Sequence, residues 1–315
     1  MTTTIPNRKR ARPNQPSRVP NNYLALTIVI IGGLLMMLPL YMMFVFASHG
    51  KSDIFTFPPP FFFGDSTIHN YNALITATEG RFWRIFWNST YLSVVTTVTQ
   101  LFFCSLAGYG FAMYEFKHKD KLFAILVATM AIPGSLNLIP FYLVLSFFNS
   151  VFAPLDTAIR SVLPWFPSLL WIGSPKALWF PGMASAFGIF QMRQYILSAI
   201  PKELVEAARI DGCTEFQTYL KIILPLARPV LGTVGLVTFI GIWNEYVLSI
   251  IIFRTQETQT LQTLLRLIGG GGTNTNVDFG AVMMGVALTV LPLLILFILT
   301  SRQMIAGLTS GGVKT

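Results

Sequence analysis

Residues 201–229 read PKELVEAARIDGCTEFQTYLKIILPLARP, a polar and charged block between two long apolar runs. Pro201 suits the first position of a helix, where its missing N–H would be unpaired in any case. Gly212 is placed to end that helix in the left-handed conformation. Thr214 and Gln217 have the spacing of a capping box, so a second helix is predicted to begin there and to end near Pro225.

The first of these helices is predicted to be amphipathic. The spacing places Leu204, Ala207, Ala208 and Asp211 on one side, where the adjacent alanines would form a low, smooth surface. A connector lying along its own helix bundle is the alternative interpretation. Composition alone does not separate a docking surface from such a connector.

The composition of the whole chain indicates a membrane protein. Of its 315 residues, 53% are hydrophobic and only 11% are charged, whereas soluble domains carry about a quarter charged residues. The net charge of +9 comes from basic residues dispersed among apolar runs. Membrane topology explains this distribution better than a nucleic-acid partner does, and no nucleic-acid partner is expected.

Six runs are long enough to cross a bilayer core of ~30 Å. They are predicted at 23–47, 87–112, 122–147, 178–197, 230–252 and 279–300. The first follows a basic tail at 1–22 and is too long for a cleaved signal peptide. A retained signal anchor is therefore expected.

The distribution of Lys and Arg predicts the orientation. If the amino terminus is cytoplasmic, most of the 22 Lys and Arg residues fall in cytoplasmic segments, as the positive-inside rule requires. The predicted cytoplasmic segments are 1–22, 113–121, 198–229 and 301–315. The predicted external segments are 48–86, 148–177 and 253–278, and both termini are cytoplasmic.

Two segments depart from a simple helix. The third predicted span contains Pro133, Gly134 and Pro140, which indicate either a packing kink or a break that lines a cavity. The external segment 148–177 has an apolar centre too short to span and is interrupted by prolines. An interfacial segment is predicted there, with a re-entrant hairpin as the alternative.

One acid, Glu245, lies well inside a predicted span. An intramembrane carboxylate is costly and usually faces a cavity or a partner helix, so Asn244 and Glu245 are candidates for a transport path or for a polar contact between helices. Asn137, Tyr142 and Gln191 are weaker candidates of the same kind.

The sequence contains no recognisable catalytic or metal-binding set. Cys104 lies in an apolar run and Cys213 in the polar block, so neither a disulfide nor a metal site is expected. The glycine-rich run at 269–276 lacks the Gly-Lys-Ser/Thr ending of a phosphate loop and is predicted to be an external loop. The chain is expected to be neither an enzyme nor an ATP-binding protein.

The polar block resembles the EAA signature of the permeases of ABC importers. The match consists of Glu206-Ala207-Ala208, then Gly212 after three intervening residues, then Leu224-Pro225. Further stretches between 86 and 314, among them FWNSTYLS, MASAFGIFQMRQY and FIGIWNEYV, resemble the second (MalG-like) permease of the carbohydrate-uptake branch. The resemblance covers about 85–315, with a transmembrane domain at about 85–302.

This resemblance implies an all-α polytopic membrane protein with six transmembrane helices and the type I ABC importer permease fold. It implies that Glu206, Ala207, Ala208 and Gly212 dock on an ATPase subunit, and that Arg209 and Asp211 orient that surface. Leu224 and Pro225 are implied to belong to the same coupling element. The implied localisation is a bacterial cell membrane.

The implied partners are a MalF-like second permease, a dimer of MalK-like ATPases that binds ATP and Mg, and an extracytoplasmic solute-binding protein. That protein would contact Gln256, Asn274 and Asn276. The implied solute is a sugar of the maltose or oligosaccharide type.

Other functions remain open from the sequence. The same architecture could import a non-sugar solute such as a glycerol phosphate ester or a polyamine. A stand-alone secondary carrier is a further alternative, although such carriers are expected to show internal repeats. An embedded enzyme would need a convergent set of acid, base or metal ligands.

Overall fold

The computed structural model describes residues 23–165, 167–253, 255, 257–271 and 277–312, of which 271 and 302–312 are described by backbone alone. Within these ranges all regular structure is helical, which confirms the predicted all-α fold. The predicted binding-protein contacts Gln256, Asn274 and Asn276 lie outside the described residues.

The helices follow one another in this order: α1 (Tyr23–Ala47), α2 (Lys51–Ile54), α3 (Thr67–Ala77), α4 (Phe82–Met113), α5 (Lys119–Thr129), α6 (Leu138–Val162), α7 (Lys176–Trp179), α8 (Ala186–Ala199), α9 (Lys202–Ile210), α10 (Glu215–Thr218), α11 (Leu224–Leu226), α12 (Arg228–Trp243), α13 (Val247–Ile252), α14 (Leu261–Arg266) and α15 (Phe279–Gly312). Short 3₁₀ turns lie at Gly134–Asn137 and Pro181–Met183, and π-helical turns at Tyr219–Ile223 and Leu267–Gly271.

Four of the described helical segments are long and apolar enough to cross a bilayer: Tyr23–Ala47, Phe82–Met113, Gly134–Val162 and Phe279–Ser301. The pair Glu215–Leu226 and Arg228–Trp243, bent by 79°, makes a fifth candidate. The predicted span 178–197 contains a helix that is shorter than predicted. Its helix α8 has 14 residues, or ~21 Å, because Ser185 caps it late by accepting a hydrogen bond from the Gly188 N–H at 3.0 Å.

The third predicted span is divided and shifted. Helix α5 ends at Thr129, and α6 begins only after the 3₁₀ turn at Gly134–Asn137. The break therefore includes Pro133 and Gly134, whereas Pro140 lies in the first turn of α6, where a missing N–H costs nothing. Helix α6 then continues to Val162, so the first half of the predicted interfacial segment 148–177 is a continuation of the helix that forms the third predicted span.

Helix α4 lies at the centre of the bundle and packs against α8 and α12. Gly108 allows the close approach of α8, because a Cβ there would lie 2.5 Å from the Cβ of Met192. A buried polar contact joins the same three elements: the Gln100 amide donates to Ser185 Oγ at 2.8 Å and to Thr238 Oγ1 at 2.9 Å.

Two apolar clusters stabilise opposite ends of this bundle. One includes Phe82, Trp243 and Leu261 and joins α4, α12 and α14. The other includes Tyr109 and Ile196 and joins the carboxyl ends of α4 and α8 to α9 and the following turn. The second cluster carries the polar block, so that block is packed on the bundle rather than extended from it.

Candidate functional site

Helix α9 ends in a Schellman motif. Gly212 has φ +79°, a left-handed conformation that glycine adopts without steric cost, and this confirms its predicted role as terminator. The Cys213 N–H donates to the Ala208 carbonyl at 2.9 Å and the Gly212 N–H to the Arg209 carbonyl at 3.1 Å. At the other end, Pro201 is the extended N-cap residue and not the first helical residue that the sequence predicted.

The second helix begins as predicted. Thr214 Oγ1 accepts from the Gln217 N–H at 3.3 Å, and the Gln217 side chain accepts from the Thr214 N–H at 2.9 Å. This is a complete capping box. The helix passes through the π-helical turn and ends at Leu226, one residue after Pro225.

One face of α9 is buried against the rest of the chain. Val205 packs in the cluster of Tyr109, Ile196 and Tyr219, and Ala208, one turn later, is only 4% exposed. Ala208 therefore faces the bundle, whereas the sequence placed it on the same side as Ala207. Residues three apart share a helix face. Val205 is buried against the bundle, so the face that it shares with Ala208 also points towards the bundle.

The opposite face of α9 is open. Glu206, Ala207 and Asp211 are exposed, and Ile210 is 86% exposed at the end of the helix. A Cβ added at Gly212 would meet no atom of the described residues within 4 Å. A short convex surface of mixed apolar and acidic character therefore projects from the end of the bundle.

The corner between α9 and α10 is held by Glu215, a residue that sequence analysis missed. Arg209 Nε donates to Glu215 Oε1 at 2.7 Å. Two hydroxyl groups from the end of α4 donate to Oε2, Tyr109 at 2.9 Å and Tyr114 at 2.6 Å. We call Arg209, Glu215, Tyr109 and Tyr114 the corner cluster.

The electrostatics of the corner cluster follow from these donors. The hydrogen bond from Arg209, followed by that from Tyr114, lowers the pKa of Glu215 to about 2. Arg209 also lies 5.7 Å from the centre of the Tyr114 ring. Glu215 remains ionised at neutral pH, and it ties α9 to α4.

The other predicted coupling residues lie close to this cluster. Leu224 is half-buried and packs against the Tyr109 and Tyr219 cluster, whereas Pro225 is exposed. Asp211 contributes its backbone N–H, which donates to the Ala207 carbonyl at 2.9 Å. Arg209 orients the corner through Glu215.

Two of the predicted path residues line one cavity. Asn137 and Glu245 face a space of ≈ 250 Å³ that Phe141, Leu178 and Leu248 also border. Glu245 Oε1 accepts from the Leu248 N–H at 2.9 Å. The carboxylate thus caps the start of α13, where the predicted continuous span 230–252 is interrupted.

Asn244 faces a different cavity, although it is adjacent in sequence. That space is ≈ 550 Å³ and lies between the end of α12, helix α14 and helix α15. The Gln262 amide donates to Asn244 Oδ1 at 3.3 Å, and Arg266 donates to the Tyr246 hydroxyl. Because the helix is interrupted after Trp243, the adjacent side chains of Asn244 and Glu245 line two different cavities.

The two remaining path candidates do not line these cavities. Tyr142 and Gln191 are half-buried on α6 and α8. Of the two cysteines, Cys104 is buried in α4 and Cys213 is half-buried after the Schellman turn, and both are free thiols. Among the described residues, no three His, Cys, Asp or Glu side chains are grouped to hold a metal ion.

Comparison with known proteins supports the resemblance seen in the sequence. The model of the family "Binding-protein-dependent transport system inner membrane component" matches residues 101–303. The arabinooligosaccharides transport system permease protein AraQ of Halalkalibacterium halodurans is 32% identical over 254 residues, which are 80% of this chain and 82% of that protein. The diacetylchitobiose uptake system permease protein DasC of Streptomyces coelicolor is 31% identical over 278 residues, 88% of this chain and 91% of that protein.

A solved structure shares the fold. It is a chain of a bacterial ABC transporter involved in the import of the acidic polysaccharide alginate, with a TM-score of 0.72 over 90% of this chain and 95% of that chain, at 21% identity. The matched family region includes the corner cluster and all of α9. The chain belongs to the family of binding-protein-dependent transport system inner membrane components, the permease subunits of ABC importers.

Proposed function

We propose that this permease forms half of the translocation pathway of a sugar importer and receives the force of ATP hydrolysis through the exposed face of α9. A dimer of ATPase subunits, which binds ATP and Mg, would contact Glu206, Ala207, Ile210 and Gly212. The observation that carries this proposal is the exposed end of α9, held against the bundle by the corner cluster.

The connection from α9 to the membrane helices is rigid, which is what a coupling element needs. Val205 and Ala208 are buried on the bundle side, and the Glu215 carboxylate receives hydrogen bonds from Tyr109 and Tyr114 at the end of α4. A displacement of α9 by a partner would therefore move α4. Packed interiors transmit such strain because they have low compressibility.

The cavity beside Asn244 supports a polar solute that forms several hydrogen bonds. Its amide groups, the Tyr246 hydroxyl and the Arg266 guanidinium offer hydrogen bonds of the kind that bind sugar hydroxyls, and Leu265 and Val290 supply an apolar wall. The names of the two relatives, which refer to arabinooligosaccharides and diacetylchitobiose, agree with a carbohydrate. A glycerol phosphate ester or a polyamine is the alternative.

The complete importer would contain three kinds of partner. A second, MalF-like permease would form the other half of the pathway, and an extracytoplasmic solute-binding protein would deliver the sugar. The contact of that protein with the loop of Gln256, Asn274 and Asn276 stays a prediction. Both termini and α9 would be cytoplasmic, in agreement with the distribution of Lys and Arg.

A pair of substitutions at Gly212 tests the coupling role. Gly212→Ala and Gly212→Leu carry a similar backbone cost, ~1–2 kcal/mol, because both residues must adopt the left-handed conformation. They differ in the volume that projects outward, where the chain itself leaves open space. If α9 docks on an ATPase, sugar uptake per ATP hydrolysed is expected to fall much further in the Leu variant than in the Ala variant.

Membrane insertion and the amount of assembled chain serve as the control for both variants. Equal uptake per ATP in the two variants, at equal chain levels, would contradict the docking of a partner at this surface. Loss of ATPase co-purification in the Leu variant alone would support it.

A further inference from the structure

The segment Phe55–Phe63 carries a dense set of exposed aromatic side chains. Its sequence, FTFPPPFFF, contains five phenylalanines and no charged residue. All five rings are exposed, with Phe57 98% and Phe62 83% exposed to the surroundings of the chain. So large an apolar patch marks a site of protein or membrane interaction and is unusual on a surface that faces water.

Several contacts hold this segment against the carboxyl end of α1. The Tyr41 hydroxyl donates to the Phe61 carbonyl, and the Tyr41 and Phe63 rings meet edge to face with centroids 6.0 Å apart. The Gly64 N–H donates to Ser48 Oγ at 2.9 Å. The segment therefore lies alongside the last turns of α1 and does not extend away from them.

The position of Tyr41 on α1 shows how deep the segment Phe55–Phe63 lies relative to the end of that span. It lies six residues before Ala47, the last residue of α1, or ~9 Å back along the helix axis. Helix α1 is a span candidate with mean hydropathy 2.4, and its side chains from Tyr23 to Leu40 are almost all exposed. Phe61–Phe63 thus continue the apolar surface of α1 at a level inside the end of that span.

The backbone chemistry of the segment suits the same environment. Non-helical backbone is costly in lipid because its N–H groups have no water to bond. Three consecutive prolines at 58–60 have no N–H at all, and Tyr41 pairs the Phe61 carbonyl. Phenylalanine side chains also favour insertion into the apolar part of a bilayer.

We propose that Phe57–Phe63 forms an aromatic wedge that inserts into the bilayer leaflet at the carboxyl end of α1, with its rings among the headgroup ends of the acyl chains. Its partner is lipid. The wedge fixes the depth and tilt of α1 from outside the helix bundle.

Spin-label accessibility in the assembled importer, reconstituted in phosphatidylcholine and phosphatidylglycerol vesicles, tests this. Phe62→Cys is labelled with a nitroxide in a Cys213→Ser background, since the other native thiol, Cys104, is fully buried. Exposed Ser52, changed to Cys, serves as the water-facing control. Leu35, an exposed apolar residue in the middle of α1, changed to Cys, serves as the reference for a site at the depth of the span, and the unlabelled parent corrects for thiols of the partners.

If the wedge lies in lipid, the label at 62 should collide more often with oxygen than with a water-soluble nickel chelate. The label at 52, which faces water, should collide more often with the nickel chelate. The ratio of the two collision rates should therefore rise severalfold from 52 to 62. A water-like ratio at 62 overturns the proposal. Low accessibility to both reagents at 62 also overturns it, because the rings would then be covered by the second permease or by the binding protein.

Discussion

At the scale of single residues, Glu215 contributes most to the geometry of the corner between α9 and α10. Its carboxylate accepts from one cation and two hydroxyl groups, and these donors come from two separate elements. Sequence analysis identified Arg209 as an orienting residue, but it could not identify the acid. The two residues are six apart across a left-handed glycine, a spacing that no helix rule predicts, and Tyr109 and Tyr114 are distant in sequence.

Glu215→Gln is expected to loosen this corner. The ion pair with Arg209 is partly exposed, and pairs of that kind contribute ~0.2–1 kcal/mol. The free energy of unfolding should fall by about that amount, and hydrogen exchange at 209–215 should become faster. Glu203→Gln, at an exposed position in the first turn of α9, is the matched control. Equal exchange rates in the two variants would contradict the role given to Glu215.

The contribution of Glu215 also predicts a pH dependence. Its pKa is lowered from the ordinary 4.5 to about 2 in the folded chain, so the ionised form favours folding. That contribution is complete above pH 4.5 and is lost as the pH falls towards 2. The difference in thermal unfolding midpoint between the native chain and Glu215→Gln should be constant from pH 8 to 5 and shrink below 4.5. A difference that grows on acidification would contradict the assignment.

Two substitutions at Glu245 separate the effect of its charge from the effect of its hydrogen bond to the Leu248 N–H. Glutamine keeps an oxygen that can accept from the Leu248 N–H, whereas alanine does not. If the charge contributes to the solute path, Glu245→Gln should raise the KM for uptake about fivefold, the value of one net hydrogen bond of ~1 kcal/mol. Unchanged KM in Glu245→Gln, together with a lower chain level in Glu245→Ala, would assign the residue to helix capping alone.

At the scale of elements, the segment 148–177 departs from the sequence-based prediction. Sequence analysis predicted an interfacial segment that begins at residue 148, but α6 extends through its first half to Val162. The reason lies in side chains that fasten the returning chain to the helix. Asp156, only 5% exposed, accepts from the Leu169 N–H at 2.5 Å, and Asn149 accepts from the Trp171 N–H at 2.6 Å.

Asp156→Ala should release this return segment. The substitution leaves the Leu169 N–H without its partner, at a cost of ~1–3 kcal/mol for a group removed from water. Limited proteolysis should then cut within 163–175 faster than in the native chain. Asp156→Asn retains an acceptor oxygen and should be cut at nearly the native rate. Equal rates in Asp156→Ala and the native chain would show that the fastening does not hold the segment.

At the scale of the whole molecule, the apolar runs and the motif were enough to predict the all-α class and the importer family. The turn chemistry at Gly212, Thr214 and Gln217 was predictable because it depends on residues that are close in sequence. The inward direction of Ala208 was not, because it depends on Val205 meeting side chains of α4 and α8. The interruption after Trp243 was also missed, since the residues between α12 and α13, at 244–246, include no proline or glycine.

The assembly of the importer can be examined through a tag on this chain. We expect the purified complex to contain a second polytopic permease and a cytosolic ATPase, because the proposed function requires both partners. Purification of a homogeneous, transport-competent single chain would favour the secondary carrier. Washing at high salt, which leaves apolar contacts in place, serves to remove adventitious partners.

The most direct measurement is photo-crosslinking from the exposed end of α9. A benzophenone side chain in place of Ile210, which is 86% exposed, should form a covalent adduct with the ATPase subunit in the assembled importer. The same side chain in place of Phe116, an exposed residue before α5, should not. An Ile210 position that yields adducts only with lipid, with the second permease or with this chain itself, while the ATPase is present in the complex, would contradict the proposed docking surface.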